Sequence, residues 1–141
     1  GLSFDIGGTR VVAHTLTNPD FNMTDWVFVP EGMTSLEDIN AFNHAFFDQT
    51  SIYTDESVYS KAILTSHTQF TVRDYGDSPL GFVESFGMDE DQWRKAGKVT
   101  VLRACALTPF LYDKDVFKTY AGKIKDAMGL YLGRVLAAVR K

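Results

Sequence analysis

The spacing of apolar and polar positions changes period several times along the chain, and each change marks an element. Leu2-Ser3-Phe4-Asp5-Ile6, Gly7-Gly8 and Thr9-Arg10-Val11-Val12-Ala13 read as a β-hairpin, because a glycine pair supplies the positive φ angles of a two-residue primed turn. Pairing Ile6 with Thr9 sets Phe4 opposite Val11 and Leu2 opposite Ala13 on an apolar face, while Asp5 meets Arg10 on the other. The second strand runs to about Thr17, where Asn18-Pro19-Asp20 punctuates it. Trp26-Val27-Phe28-Val29, ending at Pro30, is a short, mostly apolar strand.

The period then becomes helical. Ser35 as N-cap, with Asp38 three residues on and Leu36, Ile39, Phe42, Phe46 and Phe47 following, predicts a helix over about 35–48 that buries an aromatic stripe. His44 on it reads as a partly exposed helix residue rather than a metal ligand. From Val58 to Arg73 the chain alternates again: Val58, Ala62, Leu64, Phe70 and Val72 face one way, and Tyr59, Lys61, Thr65, His67, Gln69, Thr71 and Arg73 the other. This predicts either one long strand or a pair broken near Ser66-His67. A turn at Gly76 to Pro79, a short strand over Leu80 to Phe86, a loop or helical turn over Gly87 to Gly97 and a strand from Lys98 to Leu107 follow. After Pro109 comes a helical tail with a stripe that includes Val116, Phe117, Tyr120, Ile124, Met128, Leu132, Leu136 and Val139. Gly129 and Gly133 would bend it or split it in two.

The order predicts an α+β domain: an N-terminal hairpin, an antiparallel sheet of about five strands, an inserted helix near 35–48 and one or two C-terminal helices. No linker, internal repeat or low-complexity tract divides the 141 residues, which read as one domain over 1–141. Helices on one face of a single sheet would leave its other face open to solvent or to a ligand.

Composition and charge adjust this picture. Apolar residues make up 45% and charged residues 23% of the chain, as in an ordinary soluble domain. The net charge of −4 conceals a division: residues 1–93 carry three basic and fifteen acidic side chains (−12), and residues 94–141 eleven and three (+8). Such asymmetry suits a polyanionic partner at one end, or two faces that neutralise each other within or between subunits. The apolar run Leu130–Val139, interrupted by Arg134, falls short of the ~20 residues of a membrane-spanning helix. One cysteine, Cys105, excludes an internal disulfide and any CxxC motif. A secretory signal and a lipid-attachment pattern are not expected, and Gly1 reads as if an initiator methionine had been removed.

Candidate chemistry is sparse. The sequence has no GxSxG, HExxH, GxxxxGK[ST] or GxGxxG motif, and His14, His44 and His67 lack metal-ligand spacing. The acidic triplet Asp89-Glu90-Asp91 lacks the ligand alternation and glycine of a calcium loop and reads as a solvated tip. No catalytic residue, metal or cofactor is assigned. Phe4-Asp5-Ile6-Gly7-Gly8-Thr9 resembles the first phosphate-binding hairpin of the sugar-kinase and actin-like ATPase superfamily. The resemblance implies an ATP-binding fragment with Asp5 at the metal, although no further motif of that superfamily appears.

A broader resemblance covers the whole chain. Asp5-Ile6-Gly7-Gly8-Thr9 with a β run ending at Asn18-Pro19-Asp20-Phe21, and Leu107-Thr108-Pro109-Phe110 leading into the Asp113 helix, make the order similar to that of single-stranded RNA bacteriophage coat proteins. The helix near 35–48 and the net negative charge depart from that family's plan. The resemblance implies a non-enzymatic homodimer that assembles into an icosahedral shell in the bacterial host cytoplasm, binds single-stranded genomic RNA and resides in the virion. It places Lys61, Thr65, His67, Arg73, Lys98 and Arg103 on the RNA, and Tyr120, Ile124, Met128, Leu132 and Leu136 at the dimer interface. A cellular dimeric binding or adaptor domain without chemistry is the alternative reading, ahead of the ATP-binding fragment.

Overall fold

Phe4 and Val11 lie opposite each other because the Gly7-Gly8 turn fixes the register of the first hairpin. In a computed structural model that describes residues 2–17, 23–54, 56–105 and 113–139, β1 (Leu2–Ile6) pairs antiparallel with β2 (Thr9–Thr15). The pairs are Ile6 with Thr9, Asp5 with Arg10, Phe4 with Val11 and Leu2 with Ala13, as the alternation requires. Gly7 and Gly8 have φ of 56° and 80°, values that an L side chain rarely adopts. β3 (Met23–Pro30), β5 (Lys98–Cys105) and β4 (Ser66–Thr71) complete an antiparallel sheet in the order β1-β2-β3-β5-β4.

α1 (Leu36–Thr50) starts where Ser35 predicts, with the Ser35 hydroxyl accepting the Asp38 N–H at 3.4 Å. Its placement explains the middle of the sheet. β3 and β5 pair only from Met23–Cys105 to Trp26–Leu102; continued in the same register, Phe28 would face Thr100. Two asparagines of α1 enter at that point. Asn43 Oδ1 accepts the Phe28 N–H, and its Nδ2 donates to the carbonyls of Phe28 and Ile39, all at 2.8 Å. Asn40 Oδ1 accepts the Thr100 N–H, and its Nδ2 donates to the Lys98 carbonyl, both at 2.8 Å. The two amides thus replace the missing rungs of the ladder and keep buried backbone groups satisfied.

This wedge separates two apolar clusters. Phe42 and Phe46 of α1 join Phe4, Val11, Trp26, Phe28 and Leu102 on one side of the sheet. Leu36 and Ile39 join Val27, Val99, Val101, Val83 and Trp93 in the other cluster. β3 is therefore buried on both faces, Trp26 and Phe28 in one cluster and Val27 in the other, which accounts for its continuous apolar run. The second cluster is closed by α2 (Val72–Tyr75), α3 (Leu80–Ser85) and α4 (Glu90–Ala96). Two expectations are corrected here. The segment over Leu80 to Phe86 is helical rather than a strand, because burial of Val83 and Phe86 follows an i, i+3 spacing that a short apolar run cannot distinguish from β alternation. The sheet is also not bare on one face. Residues 87–97 resolve into α4, with Asp89 accepting the Gln92 N–H at 2.9 Å, Gly97 in the left-handed conformation and Trp93 fully buried.

The long alternating segment is shorter as a strand than its pattern: β4 occupies 66–71, and Val58–Ser60 forms a 3-10 turn. α5 (Lys114–Val139) is continuous through Gly129 and Gly133. A Cβ at those glycines would meet Phe4 or Ile6 of β1 at 3.7–3.9 Å, so they lie where the helix crosses the hairpin. Tyr131, Leu132, Val135 and Leu136 pack into the first cluster, whereas residues 114–126 include no buried position. The expected strand end and loop at residues 106–112 lie outside the described residues, as do the Asn18-Pro19-Asp20-Phe21 turn and the Thr108-Pro109-Phe110 echo.

Candidate functional site

Two of the surface grooves are lined by described residues. One, of about 430 Å³, lies between α1 and the β4–β5 edge and is lined by Glu37, Asn40, His44, Gln69, Lys98 and Thr100 among others. The second, of about 350 Å³, lies over β2 and the end of β3, with Arg10, His14, Glu31 and Met33 in its wall. The first adjoins a group of titratable side chains. His44 of α1 and His67 of β4 meet edge to face with ring centres 5.5 Å apart, and His67 also packs on Phe47 at 4.2 Å. Asp48 stands 3.7 Å from His44 Nε2. Burial holds the His67 pKa below its ordinary value, helped by His44 and Lys98 and opposed by Asp48. His14, packed at 5.6 Å on Phe86, is likewise lowered by burial.

Burial thus favours the neutral form of His67 and of His14. Among the described residues no group of three or more His, Cys, Asp or Glu side chains could hold a metal ion, and no helix is long and apolar enough to cross a membrane. Much of the groove's polar capacity is already used. Asn40 is held by the β5 backbone, Lys98 Nζ reaches Gln69 Oε1 at 3.5 Å, and Glu37 pairs with Lys95 at 2.9 Å, which raises the Lys95 pKa.

The residues expected to contact RNA do not form one surface. The Lys61 side chain is 1% exposed, with its ammonium donating to the Gln49 carbonyl at 2.9 Å and lying 3.5 Å from Glu56. Thr65 is buried against Thr50, their hydroxyls 2.6 Å apart. His67 faces α1, Arg103 is fixed to Asp25 at 2.8 Å, and Arg73 is exposed on the separate helix α2. Lys98 alone of these borders a groove. Of the residues assigned to a dimer interface, Leu132 and Leu136 lie in the protein's own core and Met128 packs against it, while Tyr120 and Ile124 are exposed. The Asp5 carboxylate is turned onto its own hairpin, accepting the Gly8 N–H at 3.3 Å.

Sequence reasoning missed Asn40 and Asn43. Their signal was present as two amides three residues apart within an aromatic helical stripe, where solvated polar residues have no place. Tyr131 reads from the sequence as a tail residue that packs on a second copy, whereas its hydroxyl accepts the Ala62 N–H at 3.2 Å and ties the loop before β4 to α5.

Fold and grooves together define an α+β domain with mixed-charge surface grooves and a long helix packed along only half its length. Over residues 1–132 the chain matches the family described as tyrosine decarboxylase, C-terminal, and it belongs to that family. It is 45% identical over 140 residues to an L-tyrosine decarboxylase of Levilactobacillus brevis, covering 99% of this chain and 22% of the relative. It is 46% identical over 127 residues to that of Enterococcus faecalis, covering 90% and 20%, and 41% identical over 135 residues to that of Enterococcus faecium, covering 96% and 22%. The chain thus spans about a fifth of the length of these curated relatives.

These similarities overturn the coat-protein resemblance, and with it the non-enzymatic shell subunit, the RNA and shell partners, the virion and the bacteriophage setting. The family is that of an enzyme in cellular bacteria. The resemblance failed because a glycine-turned hairpin, an antiparallel sheet and a helical tail are shared by unrelated α+β domains. Of the residues nominated for RNA, Lys61, Thr65 and His67 pack against α1. The ATP-binding reading of the hairpin finds no support in the family match.

Proposed function

We propose that this chain is one domain of a longer enzyme that releases carbon dioxide from L-tyrosine, and that it serves that enzyme as its C-terminal domain. The observation that carries the proposal is the 45% identity to an L-tyrosine decarboxylase over 99% of the chain. Removing the carboxylate leaves an electron pair on the α-carbon, which an electron sink must delocalise. Among the described residues the Lys61 side chain, 1% exposed, offers no such centre, because its ammonium is occupied by Gln49 and Glu56. The reading therefore places bond breaking in the remaining four fifths of the enzyme and assigns this domain a packing role.

The test uses the full-length protein that contains this chain, supplied with carboxyl-labelled L-tyrosine. Release of labelled carbon dioxide with formation of tyramine is expected. Equal or faster release from an aliphatic amino acid, or none from tyrosine, would overturn the proposal.

A further inference from the structure

The apolar face of α5 runs past the body of the domain. Successive residues of an α-helix turn by about 100°, so Phe117, Tyr120 and Ile124 lie on the same side as Met128, Tyr131 and Val135. The second set packs onto β1 and α1. The first is 53%, 49% and 43% exposed. Residues 114–126 extend about 20 Å at 1.5 Å per residue, and an isolated helix of that length is marginal in water without packing. Lys114, Lys118 and Lys125 flank the stripe on one side and Lys123 on the other. Among the described residues none of these four is in an ion pair. The stripe therefore suits an apolar surface edged by carboxylates.

We propose that this half of α5 docks the domain onto the part of the same polypeptide that precedes it, in an apolar groove rimmed by Asp and Glu. The inference rests on the reading of the chain as the C-terminal domain of a longer enzyme. Two observations select this occupant. The relatives are about four and a half times the length of the chain, so most of such an enzyme lies beyond the structure. The helix also carries a surplus of unpaired positive charge, which stabilises a contact only where the other side is acidic. The continuous face then has one purpose along its length: its second half closes this domain's core, and its first half closes the contact with the rest of the enzyme.

Zero-length carbodiimide crosslinking of the full-length protein tests the proposal, using an equal mixture of ¹⁴N and ¹⁵N copies to separate links within a copy from links between copies. Expected are links from Lys114, Lys118, Lys123 or Lys125 to Asp or Glu side chains of the preceding part, within one copy. They should be lost when Phe117→Gln, Tyr120→Gln and Ile124→Gln are combined, with amide exchange across 114–126 rising about tenfold or more. Unchanged exchange in the β1–β2 hairpin will show that the domain remains folded in that variant. Links only between copies, links only to residues 1–93, no links, or links that survive the triple substitution would each overturn the proposal. Carbon dioxide release from tyrosine, measured on the same preparation, separates the two readings. Activity without the links defeats the docking alone; links without activity defeat the proposed reaction and leave the docking in place.

Discussion

Replacing Asn43 by Ala would open the ladder that α1 fills. The wild-type amide makes three hydrogen bonds of 2.8 Å, two of them to the N–H and C=O of Phe28, in a region where both residues are fully buried. The Ile39 carbonyl keeps its helical partner, so the cost falls on Phe28. Leaving a buried donor and a buried acceptor unpaired costs about 1–3 kcal/mol each, and the expected loss is about 4 kcal/mol. That is a large share of the roughly 5–15 kcal/mol typical of a whole domain. Asn43→Asp should lose at least as much, since a carboxylate would still accept from the Phe28 N–H but would confront its carbonyl. Equilibrium urea unfolding of the 141-residue chain, followed by circular dichroism, reads the effect as a fall in midpoint with little change of slope. A loss under about 1 kcal/mol for Asn43→Ala would refute the argument, because buried groups without a substitute partner cannot be removed so cheaply.

Gly133→Ala should stabilise the chain by up to about 1 kcal/mol in the same assay, because alanine is the better helix former and its Cβ would meet Ile6 at an ordinary 3.7 Å. Destabilisation would mean that α5 lies closer to β1 than the structure shows. Trp93→Ala should cost about 3–5 kcal/mol, since the indole is fully buried between α4 and the sheet and donates to the Gly76 carbonyl at 3.3 Å. His67 and His14 have folded pKa values below their ordinary value of 6.5. The folded state therefore binds fewer protons than the unfolded state just below that pH, and stability should decline as pH falls from 6.5. The decline should be shallower in His67→Gln, and His44→Gln should raise the His67 pKa in an NMR titration; an unchanged His67 titration would contradict the contact drawn between the two rings.

The local rules that held were those with one dominant cause. A glycine pair sets the hairpin register, and a serine cap with an aromatic stripe sets α1, whatever surrounds them. The rules that failed depended on what lay on the far side of an element. Leu80–Phe86 has too few residues for its period to decide between strand and helix, and burial against the sheet decided it. The alternation from Val58 to Thr65 suggested a strand, yet those residues are held by Thr50, Gln49 and Tyr131, partners distant in sequence. Lys61 and His67 looked like a solvated face because the pattern could not reveal that α1 covers it. The family was illegible for a related reason: the described polar groups serve mainly to complete this domain's own backbone and core, and leave no catalytic signature to read.

The charge division has a similar resolution. The basic residues of 94–141 include Arg94, Lys95 and Arg103, which are paired with Asp77, Glu37 and Asp25. The lysines on the free half of α5 have no such partners among the described residues. What composition presents as one basic end is therefore two populations, one already neutralised and one available to the docking contact proposed above.

The proposed reaction on L-tyrosine is tested most directly by its stoichiometry in the full-length protein that contains this domain. One carbon dioxide released and one tyramine formed are expected for each L-tyrosine consumed. Consumption without carbon dioxide, or no consumption by a folded protein, would contradict it.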